Sequence, residues 1–194
     1  MKTELKKIAS IQMGYSFRSR IEAKGAGAVA VIQMKDLTDD NSVDCSGLIQ
    51  VDMELPKVHH IVKLRDLIFR SRGLANTSAI LMDDVGVAVV SAPLLRIRVD
   101  EKCVLPEYLN WFISQTTAQS YLASRAMGTA QKMITKEALE SLEVFLPSLK
   151  RQREITELAA LADKEQRLLN RLALKRRQYT STILMQLAQG EESR

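Results

Sequence analysis

Hydrophobic residues are spaced in two ways along this chain, and the change falls near residue 100. Before it, apolar residues come in short runs cut by polar turns. Leu5, Ile8, Ala9 and Ile11 form a short element leading into Gly14. Residues 28–34 (Ala-Val-Ala-Val-Ile-Gln-Met) are rich in β-branched side chains and read as a buried strand. A polar turn follows at 35–42. Residues 47–51, 58–62, 66–73, 78–81 and 85–90 read as further strands. Residues 94–99 (Leu-Leu-Arg-Ile-Arg-Val) alternate apolar and basic side chains, the pattern of a half-exposed strand. The region therefore holds about five to seven short strands and little helix.

Beyond residue 100 the period lengthens. Pro106 opens a helix over 106–124 with Tyr108, Leu109, Phe112, Ile113, Tyr121 and Leu122 on one face. After a loop at 127–133, Thr135 caps a short helix whose inner face is Ala138, Leu139 and Leu142. A short strand at 142–147 delivers the chain to Pro147, which cannot sit inside a helix, and to Ser148, a good N-cap. From there no Gly or Pro occurs until Gly190. That is about 41 residues of helix-forming sequence, or roughly 60 Å. A helix of that length cannot bury itself against a domain of this size.

Along this helix Ile155, Leu158, Ala162, Leu169, Leu172, Tyr179 and Ile183 follow a 4-3 spacing. Leu161 and Leu168 widen the stripe, and Glu165, Arg176 and Gln186 interrupt it. Such a seam predicts a coiled coil but does not choose between parallel and antiparallel packing. The alternative is one amphipathic helix packed on its own domain. The predicted fold is α+β: a β-rich, mixed or antiparallel domain with a few helices over 1–147, then one long helix over 148–194.

Composition narrows the partners. The chain has 194 residues, is 46% hydrophobic and 26% charged, and carries a net charge of +5. It is globular rather than disordered, and its balance favours a polyanionic partner. Cys45 and Cys103 lie far apart with no CxxC, which fits a reduced, cytoplasmic protein. The first residues are charged and lack an apolar segment, so no signal peptide is expected. No apolar run is long enough to span a membrane.

Catalytic constellations are missing from the sequence. Lys24-Gly25-Ala26-Gly27 precedes a strand, whereas a dinucleotide loop follows one. His59-His60 stand without a Cys or carboxylate array at metal spacing, so no metal site is expected. Asp39-Asp40 and Asp83-Asp84 sit in turns, where acidic residues serve the backbone. There is no HExxH, no hydrolase triad, no Walker lysine, no adenosylmethionine loop and no Asn-Pro-Pro-Tyr motif. Three loops, in contrast, combine cation, amide and hydroxyl: 16–20, 70–76 and 128–132. Arginine reads guanine, Asn and Gln read adenine, and Ser and Thr reach phosphate or base edges.

The segments also share an order. Residues 5–18 run from a short element through Gly14 into a polar loop; 31–37 are a strand ending in Asp36-Leu37; 64–73 place Arg65 before Asp66-Leu67-Ile68 and then Arg72-Gly73. Pro106-Glu107-Tyr108-Leu109, Gly128-Thr129-Ala130-Gln131 and the block 142–155, with Leu146-Pro147, Gln152 and Ile155, complete the series. In that order and spacing the chain resembles half of a type I restriction–modification specificity subunit. In that family Gly usually stands where the 64–73 block has Arg65, and Glu where the 142–155 block has Arg151.

The resemblance implies a non-catalytic, sequence-specific reader of double-stranded DNA. It implies partners that do the chemistry: a methyltransferase subunit that binds S-adenosylmethionine and methylates adenine N6, and a motor–nuclease subunit. The family's full subunit carries two recognition domains and two long helices packed antiparallel; here there is one of each. Two copies are therefore expected to pair through the long helix as an intermolecular antiparallel coiled coil and to read a bipartite site. The candidate DNA contacts are Arg18, Ser19 and Arg20; Gln33 and Lys35; Arg70, Ser71, Arg72, Gly73 and Asn76; and Gly128, Thr129, Gln131 and Lys132. The runner-up is a coiled-coil scaffold whose head binds protein rather than DNA.

Overall fold

The computed structural model describes residues 1–17, 21, 28–73, 76–128 and 132–189. The chain divides into two compact units, Met1–Arg153 and Glu154–Arg194. In the first unit the described residues form three sheets. Strands β2 (Ala9–Met13), β8 (Leu95–Val99), β5 (Leu67–Phe69) and β6 (Ser78–Ile80) make an antiparallel sheet in that order. Strands β4 (Ile49–Val51), β3 (Val29–Ile32) and β7 (Ala88–Val90) make a mixed sheet, with β3 parallel to β7 and antiparallel to β4. Strands β1 (Lys2–Glu4) and β9 (Glu143–Phe145) form an antiparallel ribbon that ties the start of the chain to the entry of the long helix. Helices α1 (Pro106–Ile113), α2 (Thr116–Arg125) and α3 (Lys136–Glu140) precede β9, and α4 is Leu149–Ala188. The α+β class read from the sequence is what the chain adopts.

β3 shows why its sequence lacks alternation. Ala30 and Ile32 belong to one core with Ile68, Leu81, Ala88 and Leu94. Val29 and Val31 belong to another with Val51 and Val89, covered by Tyr15, Phe17, Ile21 and Met53. A strand buried on both faces needs apolar residues at every position.

Three expectations are corrected. Residues 58–62 do not form a strand: Val58–His60 is a 3-10 turn with Val58 exposed, and only Ile61 makes a single bridge, to Val89. Residues 106–124 are two helices, because Gln115 turns extended and its amide donates to the Trp111 carbonyl at 2.8 Å, in competition with the helical ladder. Residues 94–97 are buried rather than half-exposed, and only Arg98 and Val99 are partly exposed. β8 lies inside its sheet, Arg96 is 6% exposed, and Arg98 clamps the buried carboxylate of Asp66 at 2.7 and 2.6 Å.

The local signals were sound elsewhere. Thr135 Oγ1 accepts from the Ala138 N–H at 3.2 Å, and Ser148 Oγ accepts from the Arg151 N–H at 3.3 Å. Both carboxylate pairs sit in turns. Asp40 accepts from the Thr38 and Ser42 hydroxyls, which hold its carboxyl below the usual range, and Asp84 accepts from the Gly86 N–H at 3.0 Å. Arg65 takes φ 69°, the left-handed region that glycine adopts without steric cost. Its side chain offsets that cost with a two-point ion pair to Glu107 at 2.6 and 3.0 Å and a third contact to Glu101 at 3.3 Å.

From Glu154 onward the long helix shows its apolar residues to solvent. Leu158 is 69% exposed, Leu169 52%, Leu172 48% and Tyr179 70%; Ala162 is exposed too, while Ile155 and Ile183 are half-buried. Charge is segregated along it. Residues 154–165 carry Glu154, Glu157, Asp163 and Glu165 against Lys164; residues 166–188 carry Arg167, Arg171, Lys175, Arg176 and Arg177 and no acid. No helix among the described residues is long and apolar enough to cross a membrane.

Candidate nucleic-acid interface

The turn between β7 and β8, residues 91–94, gathers the loops that the sequence singled out. Gly14, just past β2, donates its N–H to the Leu94 carbonyl at 2.9 Å. Tyr15 then pairs with this turn from both sides: its N–H reaches Val90 O at 2.6 Å, and its carbonyl accepts from the Ala92 N–H at 2.9 Å. The Ser71 hydroxyl donates to the Pro93 carbonyl. The Ser71 carbonyl accepts from Ile134 N–H at 2.8 Å, Arg72 bridges Met133, and Met133 pairs with Met127 at 2.8 and 3.0 Å. The residues leading into the first loop and Ser71 are thus fastened to one short segment, and Met127 and Met133 are joined to it through the backbone of 71–72.

Gly14 makes this closeness possible. A Cβ there would lie 2.7 Å from Ser91 C, 2.8 Å from Ala92 N and 2.8 Å from Leu94 O, all backbone atoms that cannot rotate away. Gly14→Ala is expected to cost about 1–3 kcal/mol or more by overpacking. It should also spread the 91–94 turn from the first loop. A thermal melt alongside a DNA-binding assay checks this, and an unchanged melt would refute the close approach.

The predicted contacts separate into groups. Arg18, Ser19, Arg20, Thr129 and Gln131 lie outside the described residues. Arg72, Gly73, Gly128 and Lys132 are exposed. Gly73 and Gly128 have φ of 118° and 107°, and a Cβ on Gly73 would meet nothing within 4 Å among the described residues. Arg72 Nε lies 3.3 Å from Met133 Sδ, which leaves most of the guanidinium available. Lys35 is exposed, with its ammonium 3.8 Å from Asp36.

Other candidates are engaged in holding the domain together. Arg70 donates from Nη2 to the Leu37 carbonyl, and its own carbonyl accepts from Asn76 Nδ2 at 3.3 Å. Asn76 in turn accepts at its carbonyl from Gln119 at 3.0 Å. Gln33 caps the 3-10 turn Met34–Asp36, its N–H bonded to Asp36 Oδ2 at 2.8 Å. Ser71 corrects its reading as a contact: it is 2% exposed and its hydroxyl faces Pro93, so no ligand reaches it.

Sequence reasoning passed over a ring cluster beside the first loop. Tyr15 and Phe17 lie 4.9 Å apart, Tyr15 and His60 5.5 Å, and His59 and His60 4.3 Å. Alternation of Tyr15 and Phe17 across Ser16 was the available signal. Burial, then the charges of His59 and Lys57, push the His60 pKa down, which favours the neutral ring. Among the described residues no group of three or more His, Cys, Asp or Glu is placed to hold a metal.

Comparison with known proteins bears on the fold and the family. The chain is 25% identical over 169 residues to the type I restriction enzyme EcoBI specificity subunit of Escherichia coli, which covers 84% of this chain and 35% of that protein. Its fold is similar to the HsdS subunit from Thermoanaerobacter tengcongensis, with a TM-score of 0.72 at 17% identity, covering 97% of this chain and 48% of that one. It is similar, too, to a type I restriction–modification S subunit from M. genitalium, with a TM-score of 0.58 at 12% identity, covering 99% and 46%. The chain spans about a third to a half of the length of these relatives. The model of the type I restriction modification DNA specificity domain matches residues 1–172, which takes in Gly14, the fastened loops and the buried Gln152 at the helix entry. By that match the chain belongs to the type I restriction–modification DNA specificity domain family.

Proposed function

We propose that this chain reads DNA sequence for a type I restriction–modification complex and does no chemistry itself. Residues 1–147 act as the target recognition domain. Residues 148–194 serve dimerisation and docking of the methyltransferase subunit. That partner, with its S-adenosylmethionine, methylates adenine N6, and a motor–nuclease subunit acts on unmodified sites. The observation that carries this reading is the family match over residues 1–172, joined to loops fastened around one turn with Arg72 and Lys132 exposed.

Two copies pair through α4 and present two identical readers to a bipartite site. Charge supports the antiparallel choice: the acidic 154–165 segment of one copy then lies against the basic 166–188 segment of the other. Leu184 and Met185, with Arg177, Thr180 and Ser181, line a further shallow groove on this helix, suited to a partner helix with acidic flanks.

Arg72→Ala is expected to weaken the preferred sequence by about 1–3 kcal/mol and to relax specificity at one position. A uniform loss across all sequences would reassign Arg72 to phosphate. No change in affinity or specificity would remove it from the interface. Salt dependence separates the reading from a protein-binding scaffold, since contacts to several phosphates make affinity fall steeply with salt. Co-purification with a methyltransferase, followed by methylome sequencing, tests the whole assignment. A chain that binds no DNA and recovers no methyltransferase would overturn it.

A further inference from the structure

Two methionines stand between two arginines on the surface of the Met1–Arg153 unit. Met127 is 66% exposed and Met133 is half-buried. Their backbones exchange N–H···O bonds at 3.0 and 2.8 Å, and Met133 bridges Arg72 on its other side. Residues directly opposite in antiparallel pairs share one face. Met127, Met133 and Arg72 therefore point the same way, and Arg72 Nε lies 3.3 Å from Met133 Sδ. Beyond Met127 comes Arg125, which lines an open hollow of about 470 Å³ together with Met127. Arg125 is exposed, and its guanidinium rests 5.7 Å from the Tyr121 ring. The acid in that hollow, Glu137, is already engaged. Hydrogen bonds from its own N–H and the Thr135 hydroxyl hold its carboxyl below the usual range. The row thus runs guanidinium, two thioethers, guanidinium.

Phosphate would answer the arginines and leave the methionines in contact with nothing apolar. They need an apolar counterpart within reach of cations. In the major groove of DNA the C5 methyl of thymine is the one apolar group on a base edge. Three neighbouring segments at a spacing of about 4.8 Å span roughly 10 Å, which fits a groove about 12 Å wide. The thioether chain is flexible and polarizable, so it can follow that contour without a polar group to desolvate.

We propose that Met127, backed by Met133, reads thymine through its methyl group, beside the base edge met by Arg72, while Arg125 contacts a flanking phosphate. The inference rests on the DNA-reading role proposed above and adds a specificity determinant to it. The thymine should lie within about three base pairs of the position that Arg72 reads, since roughly 10 Å is about three rises of 3.4 Å.

The test starts from the duplex that the unmodified full chain selects out of a random-sequence pool. That duplex is remade with deoxyuridine at each thymine in turn, which removes the methyl and keeps every hydrogen-bonding group. At one position near the Arg72 contact, uridine should weaken binding about threefold to fivefold, the size of one buried methyl group. Met127→Ala should bind the thymine duplex more weakly and be indifferent to uridine at that position. Met127→Leu, which keeps an apolar side chain, should retain part of the discrimination. Arg125→Ala should weaken all sequences alike and lower the salt slope by about one. If the unmodified chain tolerates uridine everywhere, or Met127→Ala shows the same uridine penalty, the methionine contact is overturned while the selected sequence keeps the DNA-reading role standing. A chain that selects no sequence overturns both, and leaves the exposed pair to a protein partner.

Discussion

Gln152→Ala is expected to lower the stability of the Met1–Arg153 unit by about 2–4 kcal/mol, and its Tm by roughly 5–15 °C. Gln152 is fully buried at the entry of the long helix. Its Oε1 accepts from the Leu105 N–H at 2.8 Å, while Nε2 donates to the Cys103 carbonyl at 3.0 Å and the Pro147 carbonyl at 2.9 Å. One amide therefore joins the loop before α1 to the segment between β9 and α4. Alanine leaves three backbone groups without that partner, and each such group costs about 1–3 kcal/mol where water cannot replace it. Gln152→Glu separates size from donation. It keeps the volume and the acceptor for Leu105, but turns a carboxylate oxygen toward two carbonyls, so it should be at least as damaging at neutral pH. Urea unfolding followed by the fluorescence of Trp111, the single tryptophan, measures both. A glutamate variant as stable as the parent would show that the donor arm of Gln152 is idle.

What could be read from the sequence was whatever a short window determines. The long helix was legible because nothing between Pro147 and Gly190 can stop it. The caps at Thr135 and Ser148 were legible for the same local reason. β3 stood out through its β-branched content, since a doubly buried strand has no polar face. The failures share a different cause. Arg96 and Arg98 alternate with apolar residues whether a strand faces water or a buried carboxylate, and Asp66 is some thirty residues distant. The break between α1 and α2 carries no Gly or Pro, and both helices keep apolar residues inward, so one period ran through both. Ser71 was chosen for its hydroxyl, but residue type does not say which way a side chain turns. The 91–94 turn was invisible because its role lies in contacts with Tyr15 and Ser71, remote in sequence.

The double change Leu169→Glu, Leu172→Glu is expected to separate two copies of the chain without unfolding either. Both leucines are about half exposed in a single chain, so neither holds the Met1–Arg153 unit together. Glutamate is a good helix former, which keeps α4 helical. In an antiparallel pair these positions fall where the acidic segment gives way to the basic one, close to the two-fold axis. Four leucines, two from each copy, leave the seam, each worth about 1.5–3 kcal/mol if fully buried. Four carboxylates enter it beside Glu165. Light scattering after size exclusion should then report a monomer at micromolar concentration where the unmodified chain gives a dimer. Affinity for DNA with two correctly spaced half-sites should fall by about 10²–10⁴, the gain that linked binding provides, while affinity for an isolated half-site stays level. The salt slope supplies an internal check. It counts neutralised phosphates, so a monomer should show about half the slope of the dimer on the full site. If the unmodified chain is monomeric, or if spacing between half-sites has no influence on its affinity, pairing through α4 is wrong, and the apolar stripe belongs to a different protein.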